Sequence, residues 1–339
     1  MQFKLFFSGF GRVGKAFANL IINSAKFLKS KYGIDIKVVC ISDIKYGSIV
    51  NEDGIELSYV IKYLESNKTF KGLNGYVKKD VLSLLDSVDA NLLIEVTWSN
   101  LETGEPALSY ILKGMDRGMD VITTNKGPFA VAYREVMEKA EECDVFVRFE
   151  GTVMSGTPVI SLVSESIAGA NIYEMYGILN GTTNFILTQM FNGKSFEEAL
   201  EEAKKLGYAE ADPTADIEAI DPAAKVAILA NVAFDDDYSI KDVERVGIRG
   251  ISELDIKKAL EKGMKIKLLA KISCDELWVK PVEIDKYNPL HNVDFALNAI
   301  LIKTKNLGDI FLTGPGAGPL ETAQALLEDL IAIARLRVC

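Results

Sequence analysis

The chain has 339 residues. At roughly 150 residues per domain this points to two domains, large enough to bury a core without disulfide or metal staples. Hydrophobic residues at 48% and charged residues at 25% argue against disordered, collagen-like and fibrous classes. No apolar run reaches the ~18 residues of a membrane span, and the apolar N-terminal stretch carries Lys4 and runs into glycines, so it reads as a buried strand rather than a signal peptide. A net charge of −10 with no basic block argues against a nucleic-acid partner, which needs clustered Lys and Arg, and leaves small molecules as the expected partners. Cys40, Cys143, Cys274 and Cys339 are scattered and His291 is the only histidine, so no Cys/His zinc site is expected. A reduced, cytoplasmic protein is the simplest reading.

In chain order, residues 3–8 form a short apolar run bounded by glycines, the pattern of a buried parallel strand. Val13, Phe17, Leu20, Ile21 and Leu28 follow at helical spacing, and Gly33 ends that helix. Residues 36–42 read as a second strand, and residues 91–97, 120–124 and 144–149 as further strands, with helical patterns at 105–117 and 130–142. Alternating strands and helices predict a doubly wound parallel sheet of Rossmann type. Past a glycine-rich bend at 151–156 the character changes. Strands at 173–179 and 277–283 and helices at 185–191, 195–205 and 222–232 predict a second, α+β domain. A last helix at 320–333 follows the run Gly314-Pro-Gly-Ala-Gly318.

Residues 9–14, Gly9-Phe10-Gly11-Arg12-Val13-Gly14, spell GxGxxG directly between a strand and a helix. There Gly9 allows the tight turn, Gly11 lets the backbone approach a pyrophosphate, and Gly14 lets helix and strand pack closely. The helix N-terminus offers free N–H groups to an anion. The same turn could also bind nothing. Residues 9–15 begin a P-loop as well, but Ala16 lacks the hydroxyl that would hold Mg²⁺, which disfavours an NTPase. Asp43, at the end of the second strand, can accept from both ribose hydroxyls and so favour NAD, although it lies farther beyond Gly14 than the nominal ~20 residues. Lys45 could instead face the 2′-phosphate of NADP.

Lys126 follows the strand at 120–124, at the end of a parallel sheet where ligands bind, and reads either as a functional group or as a solvated loop lysine. The turn from Gly207 to Lys225 is denser, with Tyr208, Glu210, Asp212, Asp216 and Asp221 before Pro222. Asp221 reads as an N-cap with proline at N1, which puts Lys225 in the first helical turn. A lysine there opposes the macrodipole and loses proton affinity unless Asp216 or Asp221 compensates. The cluster could bind a zwitterion or be an acidic surface turn with a helix cap. An EF-hand loop fails, because Ile217 stands where its glycine belongs. Residues 180–184, Asn-Gly-Thr-Thr-Asn, end a strand and open a helix that Thr182 or Thr183 can cap, with free N–H groups able to hold a carboxylate.

In order, residues 9–14, Thr124-Asn-Lys126, Glu150-Gly-Thr-Val, Asn180-Gly-Thr-Thr, the segment 207–225 and the glycine run 314–318 resemble homoserine dehydrogenase over essentially the whole chain. The segment 207–225 is the most specific of these. The resemblance implies reversible NAD- or NADP-dependent interconversion of L-homoserine and L-aspartate 4-semialdehyde, in threonine, methionine and isoleucine biosynthesis, by a homodimer formed through the second domain. It implies a nucleotide domain of residues 1–149 completed by 306–339, and a substrate-binding and dimerisation domain of residues 150–305. It gives Lys225 and Lys126 as the pair facing the reacting oxygen, Asp216 and Asp221 as the acids that orient hydroxyl and lysine, and Glu210, Tyr208, Gly181 and Thr182 as the holders of the amino-acid end. Residues 9–14, Asp43, Thr97, Lys126 and Gly316 would contact the coenzyme. Backbone carbonyls of Glu150, Val153, Ser155 and Thr157 would hold Na⁺, a hard cation suited to such oxygens.

Two positions depart from the family's usual pattern. Ala219 replaces a glycine, and Trp98 is bulkier than the small polar residues often found near the nicotinamide. With the sequence ending at Cys339 and no kinase preceding, no regulatory ACT domain and no threonine feedback through one are expected. Two other readings compete with this one. A non-catalytic NAD(P)-sensing protein on the same scaffold is disfavoured by the presence of both lysines and all the acids. A phosphorylating semialdehyde dehydrogenase needs an activated cysteine, and no cysteine here opens a helix in a glycine-rich loop.

Overall fold

The computed structural model describes residues 1–338, so Cys339 lies outside the described residues. The chain divides into two compact units, Met1–Thr152 joined by the segment from Pro319 onward, and Val153–Gly318.

The first unit runs β1 (Gln2–Ser8), α1 (Arg12–Tyr32), β2 (Asp35–Asp43), β3 (Gly47–Val50), α2 (Leu57–Asn67), β4 (Tyr76–Val77), α3 (Val81–Ser87), β5 (Leu92–Glu95), α4 (Ala107–Asp116), β6 (Asp120–Thr123), α5 (Lys126–Val131), α6 (Tyr133–Glu142) and β7 (Val147–Arg148). Its seven-stranded sheet has the order β4-β3-β2-β1-β5-β6-β7. Strands β2, β1, β5, β6 and β7 are parallel, as expected, while β3 and β4 add an antiparallel edge. From β1 the chain winds outward through β2, then crosses back to β5 on the other side of β1, so the β1/β5 boundary is the topological switch point. Helix α1 buries Gly14, Phe17, Ala18, Ile21 and Leu28 on one face and ends at Gly33, whose φ of +67° glycine adopts without a Cβ penalty. Phe7, Phe10 and Phe17 pack together under it.

The second unit contains α7 (Val159–Ser161), which runs into a π-helical turn (Leu162–Ser166), then β8 (Ile172–Ile178), α8 (Gly181–Phe191), α9 (Phe196–Lys205), α10 (Thr214–Ile217), α11 (Ile220–Phe234), β9 (Glu244–Arg245), α12 (Glu253–Glu261), β10 (Met264–Ile272), β11 (Leu277–Asp285), β12 (Leu297–Thr304) and β13 (Gly308–Pro315). Its six-stranded sheet has the order β13-β12-β8-β10-β11-β9 and is antiparallel except for the β9–β11 pair. Helix α11 is buried on all sides from Pro222 to Asn231, the signature of a central helix rather than a surface one. The chain then returns to the first unit as α13 (Pro319–Leu336), which packs along α1.

Three expectations need correction. Residues 306–318 group with the second unit: Gly308–Pro315 form β13, paired residue for residue with β12, and the chain rejoins the first unit only at Pro319. The helix read at 130–142 is two helices, broken at Ala132, which takes φ −146° and ψ 38°. The strand read at 144–149 shrinks to Val147–Arg148.

Candidate active site

In the first unit the β1–α1 turn has the geometry its glycines require. Gly9 holds φ +96°, and a Cβ there would meet the Val96 carbonyl oxygen at 2.6 Å. A Cβ on Gly14 would meet the Gly9 carbonyl oxygen at 2.9 Å, whereas one on Gly11 would meet nothing within 4 Å. Helix α1 has Gly11 at its N-cap, with no side-chain cap and no acid in its first turn, so its N–H groups and positive dipole end are left to an anion. An open Gly11 beside an uncapped helix of 21 residues fits a coenzyme pyrophosphate. Phe10 is buried in the core, and Arg12 is exposed.

Asp43 closes the turn from β2. Its Oδ2 accepts from Phe10 N at 2.8 Å, and its Oδ1 accepts from Lys45 N at 2.8 Å and Tyr46 N at 3.2 Å. A carboxylate has about four acceptor sites, so three backbone donors leave little of it for the two ribose hydroxyls anticipated from sequence. Beside it, the Lys15 ammonium donates to the Tyr46 hydroxyl at 3.0 Å, and Lys45 lies over the same ring.

At the carboxyl ends of β5 and β6 lie Thr97 and Lys126. Asn125 caps α5 by accepting from Gly127 N at 3.1 Å, which makes Lys126 the first helical residue. Trp98 is exposed, and its carbonyl accepts from Asn125 Nδ2 at 3.1 Å.

The second unit gathers the acidic turn and its lysine as the sequence suggested, with a different local cause. Helix α11 starts at Ile220, not after Asp221, because Ala219 takes a left-handed φ of +59° and turns the chain there. Lys225 therefore stands in the second turn, beyond the reach of the dipole end, which does not lower its proton affinity as the sequence implied. What holds it is direct. Lys225 is 6% exposed, and its Nζ donates to Asp221 Oδ2 at 2.7 Å and to the Leu179 carbonyl at 2.8 Å. An ammonium has three donors; among the described residues these two partners are the ones in hydrogen-bond contact, and the third donor is available to a ligand.

Asn180 is the residue that sequence reasoning passed over. It is the N-cap of α8, accepting from Thr183 N at 2.9 Å, so neither Thr182 nor Thr183 is the cap. Its Nδ2 donates to Asp216 Oδ1 at 2.6 Å and to Asp221 Oδ2 at 3.0 Å. One amide thus clamps both carboxylates; its position at a strand end before Gly-Thr-Thr was the available signal. Burial raises the Asp216 carboxyl above its usual range and the Asp221 charge adds to this, while Asn180 and Lys225 pull it back. The Thr182 hydroxyl donates to the Tyr208 carbonyl at 2.6 Å, and the Tyr208 ring packs on Phe185. At Gly181 a Cβ would meet the Ala296 carbonyl at 2.8 Å, so only glycine fits there. Glu210 is exposed on the loop before α10.

Of the carbonyls expected to hold Na⁺, Glu150 belongs to the first unit and Val153, Ser155 and Thr157 to the second. Met154 and Ser155 both hold φ +57°, an uncommon pair for non-glycine residues. No group of three or more His, Cys, Asp or Glu among the described residues could hold a metal. Gly316 packs against the Asn298 amide so closely that a Cβ would overlap it. No helix among the described residues is long and apolar enough to cross a membrane.

Comparison with known proteins follows the same lines. A family profile described as homoserine dehydrogenase matches residues 158–331. Homoserine dehydrogenase of Methanocaldococcus jannaschii is 43% identical over 96% of this chain and 96% of its own length. NAD(+)-dependent homoserine dehydrogenase of Pseudomonas canavaninivorans is 38% identical over 98% of this chain and 96% of its own. Among solved structures, a hyperthermophilic archaeal homoserine dehydrogenase mutant in complex with NADPH superposes with a TM-score of 0.87 at 32% identity, covering 99% of this chain and 98% of that one. Near-complete coverage at these identities, on a chain that carries the glycine turn, the Asn180 clamp and the buried Lys225, places it in the homoserine dehydrogenase family.

Proposed function

We propose that this protein interconverts L-homoserine and L-aspartate 4-semialdehyde by reversible NAD(P)-dependent oxidoreduction. The observation that carries the reading is the Lys225 ammonium, buried and aimed by Asp221 and the Leu179 carbonyl, within a member of this family. The nicotinamide, when bound, supplies or accepts the hydride.

The chain's own residues manage the proton and the substrate. In the reductive direction Lys225 Nζ donates to the oxygen as negative charge develops on it and delivers its proton; in the oxidative direction it takes that proton back. Asp221 keeps the ammonium oriented, and Asn180 holds Asp216 at a fixed distance so that its carboxyl can accept from the substrate hydroxyl. Gly181, Thr182, Tyr208 and Glu210 hold the amino-acid end, with Glu210 facing the ammonium. Lys126 is proposed as a second donor to oxygen, supported by its place at the carboxyl end of β6. Residues 9–14, Asp43, Thr97 and Gly316 are proposed to contact the coenzyme.

The acceptor position that Asp43 keeps beyond its three backbone donors suits one ribose hydroxyl of NAD, while Lys15 and Lys45 beside it suit the 2′-phosphate of NADP. Both coenzymes occur among the relatives, one named as NAD(+)-dependent and another solved with NADPH. Na⁺ at the carbonyls of Glu150, Val153, Ser155 and Thr157 is supported by the left-handed backbone at Met154 and Ser155. A homodimer through the second sheet is supported by Phe311, exposed on its edge strand β13. Free Cys40, Cys143 and Cys274 agree with a cytoplasmic setting, where the reaction would serve threonine, methionine and isoleucine biosynthesis.

The test is absorbance at the nicotinamide band for the purified protein with L-homoserine and either NAD⁺ or NADP⁺. Turnover with at least one coenzyme is expected. Tight coenzyme binding with no turnover in either direction would point instead to a sensing protein.

A further inference from the structure

The first unit buries a carboxylate for which the proposed reaction has no use. Glu95 is the last residue of β5 and is 0% exposed. It sits at the β1/β5 switch point, the crevice where sheets of this kind bind their ligands. Its Oε1 accepts from Thr97 N at 2.9 Å and also from the Thr97 hydroxyl, and its Oε2 accepts from Thr123 Oγ1 at 3.0 Å. Thr123 Oγ1 in turn accepts from Asn125 N at 3.0 Å, and Asn125 caps the helix that Lys126 begins. The loops after β5 and β6 are therefore tied to one carboxylate.

Glu95 also belongs to a row. Strand register aligns Ser48, Ser42, Ser8, Glu95 and Thr123 across five adjacent strands, and all five are buried. Ser42 and Ser48 bond each other at 2.8 Å, whereas the hydroxyl of Ser8, register partner of Glu95, has no hydrogen-bond partner among the described residues. One amide N–H and two hydroxyls on a single carboxylate are a donor set suited to an anion. Burial holds the Glu95 carboxyl above its usual range, and the bonds from Thr97, Thr123 and Asn125 limit that rise without reversing it.

We propose that Glu95 is a positioning residue held as a buried anion, and that its charge makes this crevice bind the oxidised coenzyme, NAD(P)⁺, in preference to NAD(P)H. The nicotinamide ring is cationic only when oxidised, so a fixed negative charge in a low-dielectric wall attracts one form and not the other. This inference rests on the NAD(P)-dependent reading above.

The test is equilibrium titration of the full chain with NAD⁺, NADH, NADP⁺ and NADPH, for the wild type and Glu95→Gln, with thermal melting alongside. Glu95→Gln is expected to raise the Kd ratio of oxidised to reduced form by about tenfold, which for a two-electron couple raises the bound potential by about 30 mV. Equal weakening of both forms would make Glu95 a purely structural post and overturn the proposal. If Glu95→Gln does not fold, the wild type alone decides: it must bind the oxidised form of its coenzyme more tightly than the reduced form, and an equal or opposite preference is again a refutation. A folded wild type that binds neither form would defeat the coenzyme reading itself, a result distinct from the others.

Discussion

Asp221 and Lys225 stand one turn apart on α11, and the Asp221 Oδ2 that accepts from Lys225 Nζ at 2.7 Å also accepts from Asn180 Nδ2 at 3.0 Å. One carboxylate oxygen thus couples the proton carrier to the amide that holds Asp216. Asp221→Asn keeps the shape and removes the charge. It is expected to lower kcat by about a hundredfold while leaving coenzyme Kd unchanged. Steady-state kinetics beside a binding titration check this, and a kcat within a few-fold of wild type would remove Asp221 from the machinery.

The three turn glycines should separate by readout. Gly11→Ala adds a methyl where nothing lies within 4 Å, so the melting temperature should hold while coenzyme affinity falls. Gly9→Ala, at φ +96° with the Val96 carbonyl at 2.6 Å, should lower both. Gly14→Ala should chiefly lower stability, by pushing α1 off the Gly9 carbonyl. A Gly11→Ala variant with unaltered coenzyme Kd would contradict binding at this turn.

Ala219 occupies a left-handed conformation that costs a non-glycine residue about 1–2 kcal/mol, partly offset by the extra chain entropy a glycine loses on folding. Ala219→Gly is therefore expected to stabilise by up to about 1 kcal/mol. Ala219→Val, fully buried and β-branched at φ +59°, should destabilise by more than that. Urea unfolding midpoints of the three proteins give the order.

Asp329 on α13 is buried, accepts from Glu150 N at 3.0 Å and lies 3.5 Å from the Arg148 guanidinium. Burial pushes its carboxyl up to about 8, against the opposing pull of Arg148. The native state therefore binds this proton more tightly than the unfolded chain. Its contribution is complete below about pH 4 and is lost as pH rises through about 8. Wild-type stability should decline across that window, and Asp329→Asn should flatten the decline. Parallel Tm curves from pH 5 to 9 for the two proteins would count against it.

Much of this was legible locally. Three glycines at fixed spacing between a strand and a helix dictate one turn, and that turn is present. The acidic segment ending in Lys225 was legible as a cluster, because its residues are close in the chain. Its geometry was not. The Asp-Pro pair carries a strong cap signal at 221–222, yet Ala219, with no turn signal of its own, starts α11 at Ile220. Asn180 reaches Asp216 and Asp221 only through tertiary packing. Strand β13 hid in the approach to a glycine run, and its edge position gives it no buried run to announce it. Nothing in the strand run at 91–97 marks Glu95 as enclosed; only the register with Ser8 and Thr123 does so.

The most direct test is the Lys225→Ala variant in the L-homoserine assay with NAD⁺ and NADP⁺, with coenzyme titration and melting on the same preparation. Loss of Nζ should reduce turnover by a hundredfold or more, on the order of general acid–base contributions, in a folded protein that still binds coenzyme. Turnover close to wild type in such a protein would contradict the assignment of Lys225 as the proton carrier.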